Sequence, residues 1–370
     1  MQWINKMLKV FKHKENIAGI DIGSNTIKIA SASKTSSGFA FTRFYSCPTP
    51  PMTIKDGAIV DARTLGDTIS VLLGECGFPA PPKMVSAVSG QSVVIRPINM
   101  TKMSEGELQG AIKFEAERYL PYSVAEAQIN GHILKANIED AENQMEVLLV
   151  AAPNEMVKNT QEVIKLAQGV PDAVDLEPFA LLRALSYGAS PDFLNQTVAL
   201  INLGASSSSI NIFKDGMLRH NRTISVAGNS FTKAIGQSLN LSFEEAEKIK
   251  KEKGVIRVEK DSTPVAPTTM RIFNVIIPVL TELVTEVQRS FDYYRSRYKG
   301  ESVDVVILSG GTAMFKNIDV YMSNELSIEC QIANPFSKVS IDGIQGIAKD
   351  ELETLAPMAM VVTGLALRTE

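Results

Sequence analysis

The sequence predicts an α/β protein made of two duplicated halves with a smaller unit inserted in the first, and three observations carry that expectation. Strand-like β-branched and apolar runs alternate with helical patterns along nearly the whole chain. A glycine-centred segment, Gly19-Ile-Asp-Ile-Gly-Ser-Asn-Thr, returns 181 residues later as Leu200-Ile-Asn-Leu-Gly-Ala-Ser-Ser, which aligns Asp21 with Asn202 and Gly23 with Gly204. Self-similarity of this kind marks duplicated structural units. Residues 92–168, finally, read as a compact strand, helix, strand, strand, helix unit of their own.

Taken in order, residues 17–33 read as a strand, a turn centred on Gly23 and a returning strand. A polar link at 34–38 leads to a third strand-like run, and loop signals cluster at 47–56 and 79–82. The first helix of the 92–168 unit is the best marked. Ser104 stands in the N-cap position with Glu107 three residues on, a capping box, and Pro121 closes the pattern. Leu108, Ala111, Ile112 and Tyr119 form its apolar face. The second half opens at Thr197 with a strand, a Gly204 turn and a strand, followed by a helical stretch at 230–253. A Thr/Pro-rich connection at 261–269 precedes a long helix over 276–298. A buried-looking strand then runs into Gly310-Gly311 and a helix, and an apolar helix rich in small residues closes the chain.

Composition excludes several classes. The 370 residues suit two or three domains, and 45% hydrophobic with 21% charged residues is globular rather than disordered. A net charge of −4 and a pI near 5.7 give no bulk electrostatic case for nucleic acid. Cys47, Cys76 and Cys330 are odd in number and widely spaced, which fits no disulfide framework, and three distant histidines make no zinc site. A reducing, cytoplasmic compartment is therefore expected. No run approaches the ~18 apolar residues of a membrane span. At the N-terminus Trp3, Ile4, Met7, Leu8 and Phe11 recur at helical spacing beside Lys6, Lys9, Lys12 and Lys14. This segment suits either an anionic membrane surface or packing on its own protein.

Neither a P-loop nor a GxGxxG fingerprint is present. The matched hairpins offer another route to phosphate. A glycine turn between strands lets successive backbone N–H groups approach phosphate oxygens. Ser24, Thr26, Ser206 and Ser207 add hydroxyls, and Asp21 can hold the waters of a phosphate-bound magnesium. One hairpin alone would read as a solvated Gly/Ser turn; two matched ones favour phosphate.

DIGSNTIK, LEPFALLRA, NLGASSSS, AEKIK and LSGGTAMF, in that order, resemble the phosphate 1, connect 1, phosphate 2, ribose/adenine helix and adenosine motifs of the actin/Hsp70/FtsA superfamily. Within it the chain is similar to the PilM family of type IV pilus assembly, on KMSEGELQGAIKFEAERYLPYSVAEA, EVLLVAAPNEMV, VDLEPFALLRAL and EVQRSFDYYRSRY. The resemblance runs from about residue 17 to 368. It implies an actin/Hsp70-like ATPase fold: subdomain 1A at 17–91 and 169–194, subdomain 1C at 92–168, subdomain 2A at 195–229 and 301–348, and subdomain 2B at 230–300. Residues 1–16 would form the amphipathic segment, and 349–370 a C-terminal helix returning to 1A.

The resemblance also implies ATP and Mg2+ as cofactors. Asp21, Gly23, Ser24, Asn25, Thr26 and Lys28 would form the first phosphate loop, with Asp21 on the magnesium water shell. Asn202, Gly204, Ala205, Ser206 and Ser207 would form the second, Glu247 and Lys250 would hold the ribose, and Gly310, Gly311 and Thr312 would lie beneath the adenine. Glu177 would orient water near the γ-phosphate, although a helix-start carboxylate is the simpler reading of that residue. Likewise Glu247 and Lys250 are readable as a solvated helix pair. Asn202 departs from the superfamily, which usually has aspartate there, so slow turnover is expected. The implied function is a cytoplasmic ATP-binding scaffold peripheral to the inner membrane. It would hold the cytoplasmic N-terminal peptide of a PilN-like protein in a groove between 1A and 1C, among other pilus platform proteins. Peripheral membrane contact by residues 1–14 and self-association are further expectations, and nucleic acid is not a partner. The competing readings are a small-molecule kinase of the same superfold and an FtsA-like filament former.

Overall fold

The computed structural model describes residues 17–35, 38–55, 57–78, 81–138, 143–188, 193, 195–257 and 266–368; the amphipathic segment at 1–16 lies outside them. The first half begins with β1 (Ile17–Ile22), β2 (Thr26–Thr35) and β3 (Gly38–Pro48), then the small ribbon β4 (Ile54–Lys55) and β5 (Ala58–Ile59). Helix α1 (Ala62–Cys76) and β6 (Lys83–Val88) follow. The insertion holds β7 (Val94–Thr101), α2 (Glu105–Ala116), β8 (Ala127–Lys135) and β9 (Gln144–Pro153). The chain returns through α3 (Asn154–Leu166), β10 (Val170–Leu176) and α4 (Glu177–Gly188). In the second half come β11 (Thr197–Leu203), β12 (Ser208–Lys214), β13 (Met217–Ile224), α5 (Gly228–Leu239), α6 (Phe243–Lys253) and α7 (Pro267–Arg297). Last are β14 (Val305–Ser309), α8 (Ile318–Leu326), β15 (Glu329–Ile332), α9 (Lys349–Thr354) and α10 (Met360–Ala366).

The duplication is visible in the sheets. One has the order β10-β6-β1-β2-β3 and the other β13-β12-β11-β14-β15. Each is built around a glycine hairpin, β1–β2 or β11–β12, whose first strand pairs in parallel with a strand from later in the chain. The insertion is a separate antiparallel sheet, β7-β9-β8, covered by α2. That helix starts with the expected capping box: Ser104 N donates to Glu107 Oε2 (2.8 Å) and Glu107 N to Ser104 Oγ (3.4 Å). Leu108 and Ile112 are wholly buried on the sheet.

Several boundaries differ from the sequence reading. The stretch 230–253 is two helices, because Asn240 adopts a left-handed conformation (φ 55°) and Ser242 and Glu245 form a second capping box. The long helix starts at Pro267, where proline at the first turn costs no hydrogen bond, and runs through Pro278. Helix α3 packs on α1, with Val163 and Ile164 in one core with Ala18, Ile20 and Leu65 of the first half. Residues after β15 also return to the first half. Phe336, Val339 and Ile341 join Phe41 and Phe44 in one core. Phe41 N donates to Ser340 O (2.7 Å) and Phe44 N to Gln345 O (3.0 Å), which covers the β3 edge. The expected division, which ends the first-half insertion at 168 and leaves 301–348 in the second half, cuts across both of these packings.

The three thiols are free. Burial pushes Cys76 up to about 12 and Cys330 up to about 11, so neither offers a thiolate. Among the described residues no helix is long and apolar enough to cross a membrane.

Candidate functional site

The two hairpin turns meet across the interface between the halves. Gly23 N donates to Thr26 O (3.2 Å), and a Cβ on Gly23 would stand 2.8 Å from that oxygen. Gly204 is in the same relation to Ser207, where a Cβ would stand 2.6 Å from the carbonyl oxygen. Each turn therefore depends on glycine for the same steric reason, at the same spacing of three residues. Ser24 Oγ and Ser206 Oγ share a hydrogen bond of 2.7 Å, and Asn25 Nδ2 donates to Asn229 Oδ1 (3.3 Å). The first loop is braced from behind by Thr49, whose hydroxyl donates to Gly23 O (2.6 Å). The second is braced by α5: Gly228 N donates to Gly204 O (2.9 Å) and Asn229 N to Ala205 O (2.8 Å).

Asp21 and Lys28 sit opposite one another in the β1–β2 register and form an ion pair at 2.8 Å, with side chains 20% and 9% exposed. Lys28 is thus held on Asp21 within the first hairpin. Glu177, at the start of α4, faces the second hairpin and accepts a hydrogen bond from Ser209 Oγ (2.5 Å). Burial raises its carboxyl above the ordinary range; hydrogen bonds from Ser209, Asn202 and Ser89 pull it back, and the charge of Asp21 adds to the rise. Asp21, Glu177 and Asn202 are therefore neighbours.

Behind Glu177 runs a chain that sequence reasoning missed. Asn221 Nδ2 donates to Asn211 Oδ1 (2.7 Å), Asn211 Nδ2 to Ser209 Oγ (3.1 Å), and Ser209 to Glu177. Asn211 is wholly buried and also donates to Leu200 O (3.2 Å). The available signal was the alternation of Ser209 and Asn211, which places two polar side chains on one face of β12.

Glu247 and Lys250 bond one another at 2.6 Å rather than facing solvent. Thr232 Oγ1 donates to Glu247 Oε2 (2.5 Å), and Lys250 Nζ donates to Thr232 Oγ1 (2.8 Å) and Gly228 O (3.2 Å). Burial alone would raise Glu247; Lys250 and Thr232 reverse that and leave it lowered. The pair thereby anchors α6 to the turn that braces the second loop. Gly310 has φ 86°, and a Cβ there would meet Leu203 O at 2.4 Å and Asn202 Oδ1 at 2.6 Å. Its glycine requirement comes from β11. At Gly311 the nearest atom to a Cβ is 3.8 Å away, so the protein itself tolerates a side chain there. Thr312 Oγ1 donates to Gly204 O (3.1 Å), tying this turn to the second loop.

The raised Glu177 carboxyl has a stability consequence. A group whose folded-state pKa is raised favours folding while protonated, and that contribution is lost as pH rises through the folded-state value. Glu177→Gln is therefore expected to raise the melting temperature at about pH 8 and to change it little at about pH 4. A variant that melts lower than the parent at the higher pH would show instead that the carboxylate stabilises the fold.

Two opposed glycine hairpins between duplicated α/β halves, with an acidic residue ending the first strand, define an actin-like ATPase fold. The structure of MreB 5 of Spiroplasma citri bound to AMPPNP shares that fold, with a TM-score of 0.54 at 13% identity over 95% of each chain. The family model described as type IV pilus assembly protein PilM matches residues 19–370, and the chain belongs to that family. A solved PilM–PilN type IV pilus biogenesis complex superposes with a TM-score of 0.83 at 28% identity, covering 96% of this chain and 99% of that one. Cell division protein FtsA of Bacillus subtilis is 26% identical over 208 residues, 52% of this chain and 45% of that protein. FtsA of Escherichia coli K12 is 24% identical over 225 residues, 56% and 52% respectively. The chain spans about half the length of these curated relatives.

Proposed function

We propose that this protein is a cytoplasmic, membrane-peripheral scaffold of a type IV pilus platform that closes on Mg–ATP and holds the N-terminal peptide of a PilN-like membrane protein. The observation that carries the nucleotide part is the pair of matched hairpins meeting at Ser24 and Ser206. Their hydroxyls and turn amides offer donors from both halves at one place, so a polyphosphate would replace the direct bond between the loops. Its binding would then be linked to how the halves close.

Magnesium fits this site through water. Among the described residues there is no group of three His, Cys, Asp or Glu side chains suited to gripping a metal directly. A phosphate-bound magnesium retains several waters, and Asp21 is the loop carboxylate placed to accept hydrogen bonds from them. Lys28 would then share Asp21 with that shell or turn to phosphate. When bound, the metal would offset phosphate charge. Asn25, Thr26, Ala205 and Ser207 would complete the two loops, Glu247 and Lys250 would take the ribose, and Gly310, Gly311 and Thr312 would lie beneath the base. Glu177 would orient water near the γ-phosphate.

The partner reading is supported by the likeness to the PilM–PilN complex, and its location is proposed where the inserted sheet meets the first half. Calorimetry tests the nucleotide part: Mg–ATP is expected to bind, and at least about tenfold more weakly to Asp21→Ala. Excising 92–168 would pull α3 out of the first-half core, so the peptide part is better tested by photo-cross-linking. A labelled PilN-like peptide is expected to cross-link to residues within both 17–91 and 92–168. No heat with the folded wild type would sink the nucleotide reading, and cross-links confined to 195–368 would relocate the peptide.

A further inference from the structure

The inserted sheet touches the second half as well as the first, and that junction holds a cationic cleft the proposed function does not use. Strand β7 contributes Arg96, the segment after α2 contributes Tyr119, β13 contributes Arg219 and His220, and the end of α7 contributes Tyr293 and Arg297. They surround about 250 Å³, and no carboxylate lines the space.

Arg219 is buried and neutralised by Glu146 at 3.0 Å. The other two guanidiniums are held without being neutralised. Arg96 lies over the Tyr119 ring, 4.6 Å from its centre, and Arg297 Nη2 donates to Pro97 O (2.9 Å). Among the described residues neither forms an ion pair. Three guanidiniums and one carboxylate leave the cleft with a surplus of about two positive charges in partly buried surroundings, where like charges repel more than in water. His220 Nε2 is buried and has no hydrogen-bond partner, while the Tyr293 ring lies against the imidazole at 5.0 Å. Burial first, then the charges of Arg222, Arg297 and Arg96, holds His220 down to about 4, so the arginines set the charge here.

We infer that this cleft is a binding site for a small phosphate-bearing molecule. A phosphate monoester carries about −1.5 to −2 charges at neutral pH and so matches two guanidiniums that no carboxylate neutralises, whereas a monocarboxylate leaves one uncompensated. The guanidinium fork suits phosphate oxygens. At about 250 Å³ the cleft has room for a phosphate and a small organic remainder. An occupant bridges the inserted sheet and the second half. Asn221 lines the same cleft and begins the hydrogen-bond chain that ends on Glu177, so occupancy here has a physical route to the opposed hairpins.

The test is a titration of the full chain with phenyl phosphate, followed through the ring signals of His220 in histidine-labelled protein at constant ionic strength. A saturable shift with a dissociation constant of about 1 mM or tighter is expected. Arg96→Gln should weaken it at least tenfold, and Arg96→Lys, which keeps the charge and loses the fork, should fall between. Benzoate should bind at least tenfold more weakly than phenyl phosphate. If Arg96→Gln lowers the melting temperature, the exposed Arg297→Gln carries the comparison instead. Absence of a saturable His220 shift, equal affinity in the arginine variants, or benzoate binding as tightly as phenyl phosphate would each overturn the assignment. In the first two outcomes the arginines serve only to fasten the inserted sheet to the second half.

Discussion

Gly364→Ala is expected to cost about 3 kcal/mol or more of folding stability, the range of severe overpacking. A Cβ at this position would stand 1.8 Å from Ala180 O and 2.5 Å from its carbonyl carbon, because α10 and α4 cross with their backbones in contact. Arg183 Nη1 donates to Gly364 O across the same crossing (2.6 Å). Relieving the overlap requires the helices to part by more than about 1 Å, and every residue of α10 is buried, so no exposed face can absorb the shift. Since α4 begins at Glu177, the movement would be felt at the hairpins as well. Urea unfolding measures the effect; a loss below about 1 kcal/mol with an unchanged m-value would mean that this crossing yields easily.

Asn202→Asp is expected to raise single-turnover ATP hydrolysis about five- to a hundredfold while changing ATP affinity little, which corresponds to ~1–3 kcal/mol of barrier. In the wild type, the Asn202 amide is one of the groups hydrogen-bonding Glu177. The substitution replaces that donor with a second carboxylate beside Glu177 and Asp21. Without nucleotide and metal, three carboxylates then crowd one place, so the nucleotide-free variant should melt lower than the parent. With Mg–ATP the added charge would hold the metal's water shell and the melting temperature should recover. Rapid turnover by the wild type, or no change on Asn202→Asp when Glu177→Ala also changes nothing, would remove these residues from the catalytic shell.

What was legible in the sequence was short in range. The two hairpins could be read because each turn closes over three residues, and because one turn repeats the other. The α2 capping box could be read for the same reason, and a second one at Ser242 and Glu245 was equally available, so the reading of 230–253 as one helical stretch missed a visible local signal. The departure at Asn202 showed once the second hairpin was set against the pattern that the family resemblance implies.

The sequence alone determined the element types, the duplication and the glycine-centred form of the two turns, since those follow from side chains a few positions apart. Only the tertiary structure decided which groups face one another: Ser24 with Ser206, Asn25 with Asn229, Glu177 with Ser209, and Arg219 with Glu146. These partners are 182, 204, 32 and 73 residues apart. The same holds for α3 and for residues 336–345, whose apolar side chains mark them as buried without saying in which half. A burial pattern specifies that a face must be covered; what covers it depends on sheet order and chain return, which bring distant segments together and leave no local trace.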